Sequence, residues 1–313
     1  MKRKKVKGES FMYAVEIKNL TKKYKEIMAV NDLNMQVHEG TIYGLLGKNG
    51  AGKTTTIRII MGLTKPDSGT ISVFGKSIKK DRLWAMKNIG AIVETPGFYG
   101  NLTAKKNLKI TADLRGVELK RVDEVLDFVG LSNAASKQVK HFSAGMRQRL
   151  GIANVLIHSP KILILDEPTN GLDPEGINQL RDFIQSIAKE LKITVILLSH
   201  ILSEVEQIAN YIGIINNGTL VEQFNISELG FNKQNYVLLE VDKNSESQEI
   251  LSKMQLKFQQ MDNQFKIFCE KDTNGLISRQ LVQNGITIYS MCSVKKSLED
   301  KFLCAVGNKQ GCE

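Results

Sequence analysis

One eight-residue segment limits the fold of this chain more than any other. Gly47-Lys48-Asn49-Gly50-Ala51-Gly52-Lys53-Thr54 fits the pattern GxxxxGK[ST]. An apolar run, Thr41–Leu46, precedes it and a helix-forming stretch, Thr55–Met61, follows, so it lies in a strand–loop–helix context. Glycines let the backbone curl until its N–H groups converge, and the helix start adds partial positive charge. Such a loop cradles the phosphates of a nucleotide. Gly47, Asn49, Gly50, Ala51, Gly52 and Thr55 are expected to frame the phosphates. Lys53 is expected to bring a formal charge to the β- and γ-phosphates, and the Thr54 hydroxyl suits Mg2+.

The rest of the pattern agrees with an α/β fold built on a parallel sheet. Thr41–Leu46, Ile89–Val93, Ile162–Leu165, Ile193–Ser199 and Tyr211–Ile215 are short and apolar throughout, as strands are when both sheet faces are covered. Between them, Ile177, Leu180, Phe183, Ile184, Ile187 and Leu191 recur at helical spacing, as do Val122, Val125, Leu126 and Val129. Both stripes read as core-facing. The run Ile162–Leu165 ends in Asp166 and Glu167. At a strand end, Asp166 can hold the water shell of Mg2+, and Glu167 can polarise an attacking water as general base.

Charge and hydropathy narrow the class. Hydrophobic residues make up 42% and charged residues 24%, the balance of a soluble globular protein. The net charge of +10 owes five residues to Lys2, Arg3, Lys4, Lys5 and Lys7, a basic tail over residues 1–12. No basic stripe with interleaved aromatics follows, so no nucleic-acid partner is expected. The longest apolar runs fall far short of the ~20 residues that span a bilayer, and no apolar segment of a signal peptide follows the basic tail. Cys269, Cys292, Cys304 and Cys312 form no CxxC pair and read as free thiols.

The order of motifs carries a resemblance. The phosphate loop, Phe142-Ser143-Ala144-Gly145-Met146, Leu165-Asp166-Glu167-Pro168, Gly171-Leu172-Asp173 and His200 resemble the nucleotide-binding domain of ABC transporters from Tyr13 to Asn225. The resemblance implies a P-loop NTPase fold with a helical subdomain, ATP and Mg2+ as cofactors, and ATP hydrolysis. Glu167, His200 and Lys53 would be catalytic, with His200 as the switch histidine at the γ-phosphate. Tyr24 would stack on adenine. Ser143 and Gly145 would contact the γ-phosphate of ATP held by a second copy of the chain, and Asp173 would link the two sites. Integral membrane permease subunits on separate chains would be the further partners, placing the protein at the cytoplasmic face of the membrane. They would dock between Glu94 and Ser143.

Two positions depart from the common pattern. Met146 stands where a glutamine is usual and cannot replace its hydrogen bonds. Glu94 also replaces a glutamine, one that reaches Mg2+ in most such domains, so Glu94 joins Thr54 and Asp166 as an expected metal contact. The segment Glu94-Thr95-Pro96-Gly97-Phe98-Tyr99 and the ending Lys296–Leu303 are similar to the ATPases of bacitracin and lantibiotic self-protection exporters. Export of a peptide antibiotic is the reading this similarity implies, with an exporter of another substrate or a soluble non-transport ABC ATPase as the alternative. The gap from Thr54 to Ile162 has no room for the long coiled coil of the DNA-repair class, and one set of motifs argues against the two-domain translation class. After Asn225 the composition turns rich in Gln and Asn. Strands over Tyr236–Val241, Gln264–Cys269 and Ile286–Ser290, and helices near Gln248–Met254, Leu276–Gln283 and Ser297–Leu303, are expected to form a small α+β domain over 226–313, beside a nucleotide domain over 13–225.

Overall fold

The computed structural model describes residues 13–93, 96–227, 235–261, 264–269, 273–294 and 298–307. The chain divides into two units, meeting at Ile226 and Ser227.

In the first unit two long strands, β1 (Tyr13–Tyr24) and β2 (Ile27–His38), pair antiparallel, and β1 also pairs with β4 (Ser68–Val73), which carries the short β5 (Lys76–Ser77). Periodicity does not announce this antiparallel sheet. Register shifts after Tyr13, Ile17, Leu20 and Lys22 break the alternation, so the buried Val15, Ile17 and Leu20 keep no constant spacing.

The second sheet is the expected one. Its order is β10 (Thr219–Asn225), β9 (Tyr211–Asn216), β3 (Ile42–Leu46), β8 (Thr194–Ser199), β7 (Ile162–Asp166), β6 (Ile89–Ile92). All neighbours are parallel except the β9–β10 hairpin at one edge. Every residue of β3 and β8 is buried, which explains their unbroken apolar character. Helix α1 (Lys53–Ile60) follows β3, α2 (Arg82–Asn88) leads into β6, and α6 (Pro174–Glu190) joins β7 to β8. On α6, Leu180, Ile184 and Ile187 are buried while Leu191, just past its end, is exposed. Between β6 and β7, α3 (Ala104–Arg115), α4 (Lys120–Phe128) and α5 (Ala144–Leu156) pack on one another as the helical subdomain. Val122, Val125, Leu126 and Val129 are all within 1% exposure, so that stripe is its core. Helix α7 (Leu202–Ile208) then leads from β8 to β9.

His158, just beyond α5, ties the subdomain to the sheet by donating from Nε2 to the Ile89 carbonyl at 3.2 Å. Its Nδ1 is buried without a partner. Burial first, then the nearby Arg115 charge, hold its pKa below the ordinary 6.5, against a smaller opposing effect of the Ile89 hydrogen bond. Because the folded state binds this proton less readily than the unfolded chain, the contribution is complete above 6.5 and is lost as pH falls from there towards the folded pKa. His158→Gln is therefore expected to flatten the decline of stability between pH 7 and pH 5, read by urea unfolding. A variant with the wild-type slope removes His158 as its source.

The second unit is a four-stranded antiparallel sheet, ordered β12 (Lys257–Met261), β13 (Gln264–Cys269), β11 (Asn235–Val241), β14 (Ile288–Val294). With α8 (Asn244–Lys253) and α9 (Asn274–Gln283) it runs β-α-β-β-α-β, the split ferredoxin-like arrangement. Leu251, Ile277 and Leu281 of the helices close over Val237, Leu239, Phe265 and Ile267. Strand β12 is absent from the sequence-based expectation. Its Gln259, Gln260 and Met261 are exposed on the sheet edge, so no apolar alternation marks it. Helix α10 (Leu298–Val306) comes last. Cys292 is a free, exposed thiol. No helix among the described residues is long and apolar enough to cross a membrane.

Candidate functional site

The site forms where the parallel strands of the first unit end. Past Leu46 the chain must turn within van der Waals distance of β9. A Cβ at Gly47 would stand 2.6 Å from the Ile215 carbonyl oxygen, so only glycine fits. Gly50 and Gly52 lie at φ 82° and 107°, in the left-handed region that glycine enters without strain. A side chain at Gly52 would also run into the Ala29 carbonyl. The loop thereby delivers Lys53 as the first residue of α1, with no acidic residue in that helix's first turn.

Lys53 is only 5% exposed. Its ammonium donates to the Gly47 carbonyl at 2.6 Å and stands 3.6 Å from Glu167 Oε1. Next along α1, the Thr54 hydroxyl donates to Asp166 Oδ2 at 3.1 Å. Asp166 closes β7, and its pKa is raised above the ordinary carboxylate value. Burial is the largest cause, opposed by the Thr54 hydrogen bond and reinforced by the charge of Glu167. A carboxylate held this reluctantly has a use for a cation.

Glu167 adopts φ 47°, uncommon for a residue with a side chain, and its N–H donates to the Leu198 carbonyl of β8 at 3.0 Å. That turn swings its carboxylate towards β8's end, where His200 Nδ1 donates to Glu167 Oε2 at 2.7 Å. A single carboxylate thus touches the phosphate-loop lysine on one side and the histidine on the other.

Lys53 and Glu167 line a cleft of about 630 Å3, with Asn49, Gly50, Ala51, Gly52, Thr54, Thr55 and Asp166 in its wall, while His200 stands behind Glu167 outside that lining. Its volume and its row of backbone N–H groups suit a nucleoside triphosphate. Ile27 and Ala29 of β2 and Gln148 of α5 also line it, residues that the motifs do not single out. Tyr24 is 43% exposed and lies outside this lining, with the Lys22 ammonium 5.3 Å from its ring centre.

Ser143, Gly145 and Asp173 line a different cleft. Ser143 caps α5, its Oγ accepting from the Met146 N–H at 3.2 Å. That leaves the hydroxyl proton free to donate outwards. Asp173 caps α6 by accepting from the Gly176 N–H at 2.8 Å. One chain therefore displays two clefts, one at the phosphate loop and one at the capped helices. Glu94, the third expected metal contact, lies outside the described residues. Among the described residues, no group of three or more His, Cys, Asp or Glu side chains could hold a metal ion, and of the three expected metal contacts Thr54 and Asp166 are the two described, joined by their hydrogen bond.

A phosphate loop after one strand and paired carboxylates after another, tied to a histidine on a third, define a P-loop ATPase. Residues 30–170 match the model of the ABC transporter family. The bacitracin transport ATP-binding protein BcrA of Bacillus licheniformis is 43% identical over 94% of this chain and 97% of its own. The lantibiotic transport ATP-binding protein SrtF of Streptococcus pyogenes is 45% identical over 66% of this chain and 89% of its own. Among solved structures, a dimeric post-hydrolysis ATP-binding cassette bound to ADP and Pi aligns with a TM-score of 0.60 and 25% identity, over 68% of this chain and 98% of its own. The chain belongs to the ATP-binding subunits of ABC transporters. It binds ATP and hydrolyses it.

Proposed function

We propose that two copies of this chain close face to face on ATP and drive a separate membrane permease that exports a peptide antibiotic of the bacitracin or lantibiotic type. The observation that carries the pairing is the split of the expected site residues between two clefts of one chain: Lys53, Asp166 and Glu167 in one, Ser143, Gly145 and Asp173 in the other. Each cleft is half of a site, and a second copy supplies the other half. Lys53 leaves the Gly47 carbonyl to hold the β- and γ-phosphates. Glu167 accepts the proton of the attacking water, and His200 orients that carboxylate while facing the γ-phosphate. Ser143 of the second copy donates its free hydroxyl proton to the γ-phosphate, with α5's first turn and Gly145 behind it. Mg2+, bound by Thr54, Asp166 and Glu94, would neutralise charge on the phosphates. Tyr24 lies open to stack on adenine as the copies close. The protein works at the cytoplasmic face of the membrane, and the permease docks on the segment from Glu94 to Ser143.

The substrate reading rests on the similarity to BcrA and SrtF. It is tested in a susceptible bacterium that expresses this chain together with candidate membrane permease chains. Bacitracin resistance is expected to rise only when all are present and to vanish with Glu167→Gln. An unchanged inhibitory concentration, with ATPase activity intact, moves the protein to the exporters of other substrates.

A further inference from the structure

Glu204 is the only acidic side chain that is buried among the described residues, at 9% exposure. It sits in the first turn of α7, where a negative charge is favoured, and accepts a hydrogen bond from the Thr169 hydroxyl at 2.8 Å. A carboxylate withdrawn from water is costly unless its hydrogen bonding is met inside the protein. Neither residue touches the nucleotide cleft, yet Thr169 lies between Glu167 and Asn170, which line it, and Glu204 lies on the helix that follows His200, whose ring meets Glu167.

Thr169 is the middle of the turn that follows Glu167. Asn170 N–H donates to the Glu167 carbonyl at 3.2 Å and Leu172 N–H to the Thr169 carbonyl at 3.1 Å, after which Asp173 caps α6. On the other side, Ile201 N–H donates to Ser199 Oγ at 2.9 Å, closing a tight turn around His200 immediately before α7. The two loops meet at three points: Glu167 N–H on the Leu198 carbonyl, His200 on the Glu167 carboxylate, and Thr169 on Glu204. The first is a backbone contact and the second belongs to the reacting groups. The third ties the turn that leads to Asn170–Asp173 directly to the histidine's helix, while farther along α6 Arg181 and Gln185 donate to Gln207 at that helix's other end.

We infer that Glu204, acting through Thr169, is a positioning residue that locks the histidine segment to the loop carrying Asp173, so that Glu167, His200 and Asp173 move as one body. The part concerning Asp173 rests on the paired-subunit reading above.

Thr169→Val keeps the side chain's shape and deletes the donor. It is expected to lower kcat about tenfold, the scale of a small displacement of catalytic groups, with KM for ATP within about twofold of wild type. Thr169→Ser restores the donor and kcat. Glu204→Leu repeats the loss, and the double variant Thr169→Val/Glu204→Leu is no slower than the slower single, because one hydrogen bond is removed only once. Additive losses, a loss confined to KM, or wild-type kcat in Thr169→Val each overturn the inference. Should Thr169→Val fail to fold by circular dichroism, Glu204→Gln decides: its amide oxygen still accepts, so a rate near wild type is expected and a tenfold loss overturns the assignment. In a Glu167→Gln background, sedimentation with ATP separates the two readings. No dimer in that background alone sinks the paired-subunit reading. A dimer there whose affinity is untouched by Thr169→Val removes Asp173 from the coupled body.

Discussion

Glu167→Gln is expected to lower the steady-state ATPase rate by about 10^2- to 10^4-fold, the range for a lost general base, while ATP still binds. The amide replaces the carboxylate atom for atom, so the turn at φ 47° and its N–H bond to Leu198 remain. What disappears is an oxygen that can take a proton. His200 can still donate to the amide oxygen, so the histidine keeps its place. Removing the negative charge beside Lys53, at 3.6 Å, frees that ammonium for phosphate, so affinity for ATP is expected to hold or rise. Single-turnover hydrolysis and equilibrium binding of a fluorescent ATP analogue separate the two effects. A variant with more than a tenth of the wild-type rate would assign the base to another group.

The second large effect concerns Lys53. Its ammonium is buried and already tied to the Gly47 carbonyl, so the loop is shaped around a cation before any nucleotide arrives. Lys53→Met retains the apolar stem and removes the charge. Loss of a charged hydrogen bond of ~1.5–3 kcal/mol corresponds to affinity weakened about 10- to 150-fold, and kcat is expected to fall further because the same charge meets the γ-phosphate during transfer. Two carboxylates, Asp166 and Glu167, then face the triphosphate without the lysine between them and it. Binding titrations at several salt concentrations check this: the wild type is expected to weaken with salt more steeply than Lys53→Met. Equal affinities would show that the loop's N–H groups alone carry the phosphate.

Both predictions concern residues that are legible in the amino-acid sequence, and the reason is local. A phosphate loop must be contiguous, because successive N–H groups and the helix behind them converge on one anion. Gly47, Gly50 and Gly52 are therefore written side by side with Lys53 and Thr54. The parallel strands are equally visible, since burial on both faces leaves the interiors of β3, β7 and β8 no polar residues to blur the pattern. Among the antiparallel strands, β11, β13 and β14 are read from the sequence, but β1, β2 and β12 are not. In β1 and β2 the bulges reset the alternation every few residues, and in β12 one exposed edge carries glutamines where a strand signal would need branched side chains.

By itself, the sequence determined the class of site, the phosphate loop and the paired acids at a strand end, and the α/β frame that holds them, because each is encoded within a short stretch of chain. Only the tertiary structure decided how those stretches meet. It put Ser143 and Asp173 in a cleft apart from Lys53, set His200 on Glu167 across 33 positions of chain, and joined Thr169 to Glu204 across 35. Such contacts leave no mark in sequence spacing. They arise because parallel strands bring their ends together wherever the intervening helices return them, and hydrogen-bond geometry there selects which side chains touch.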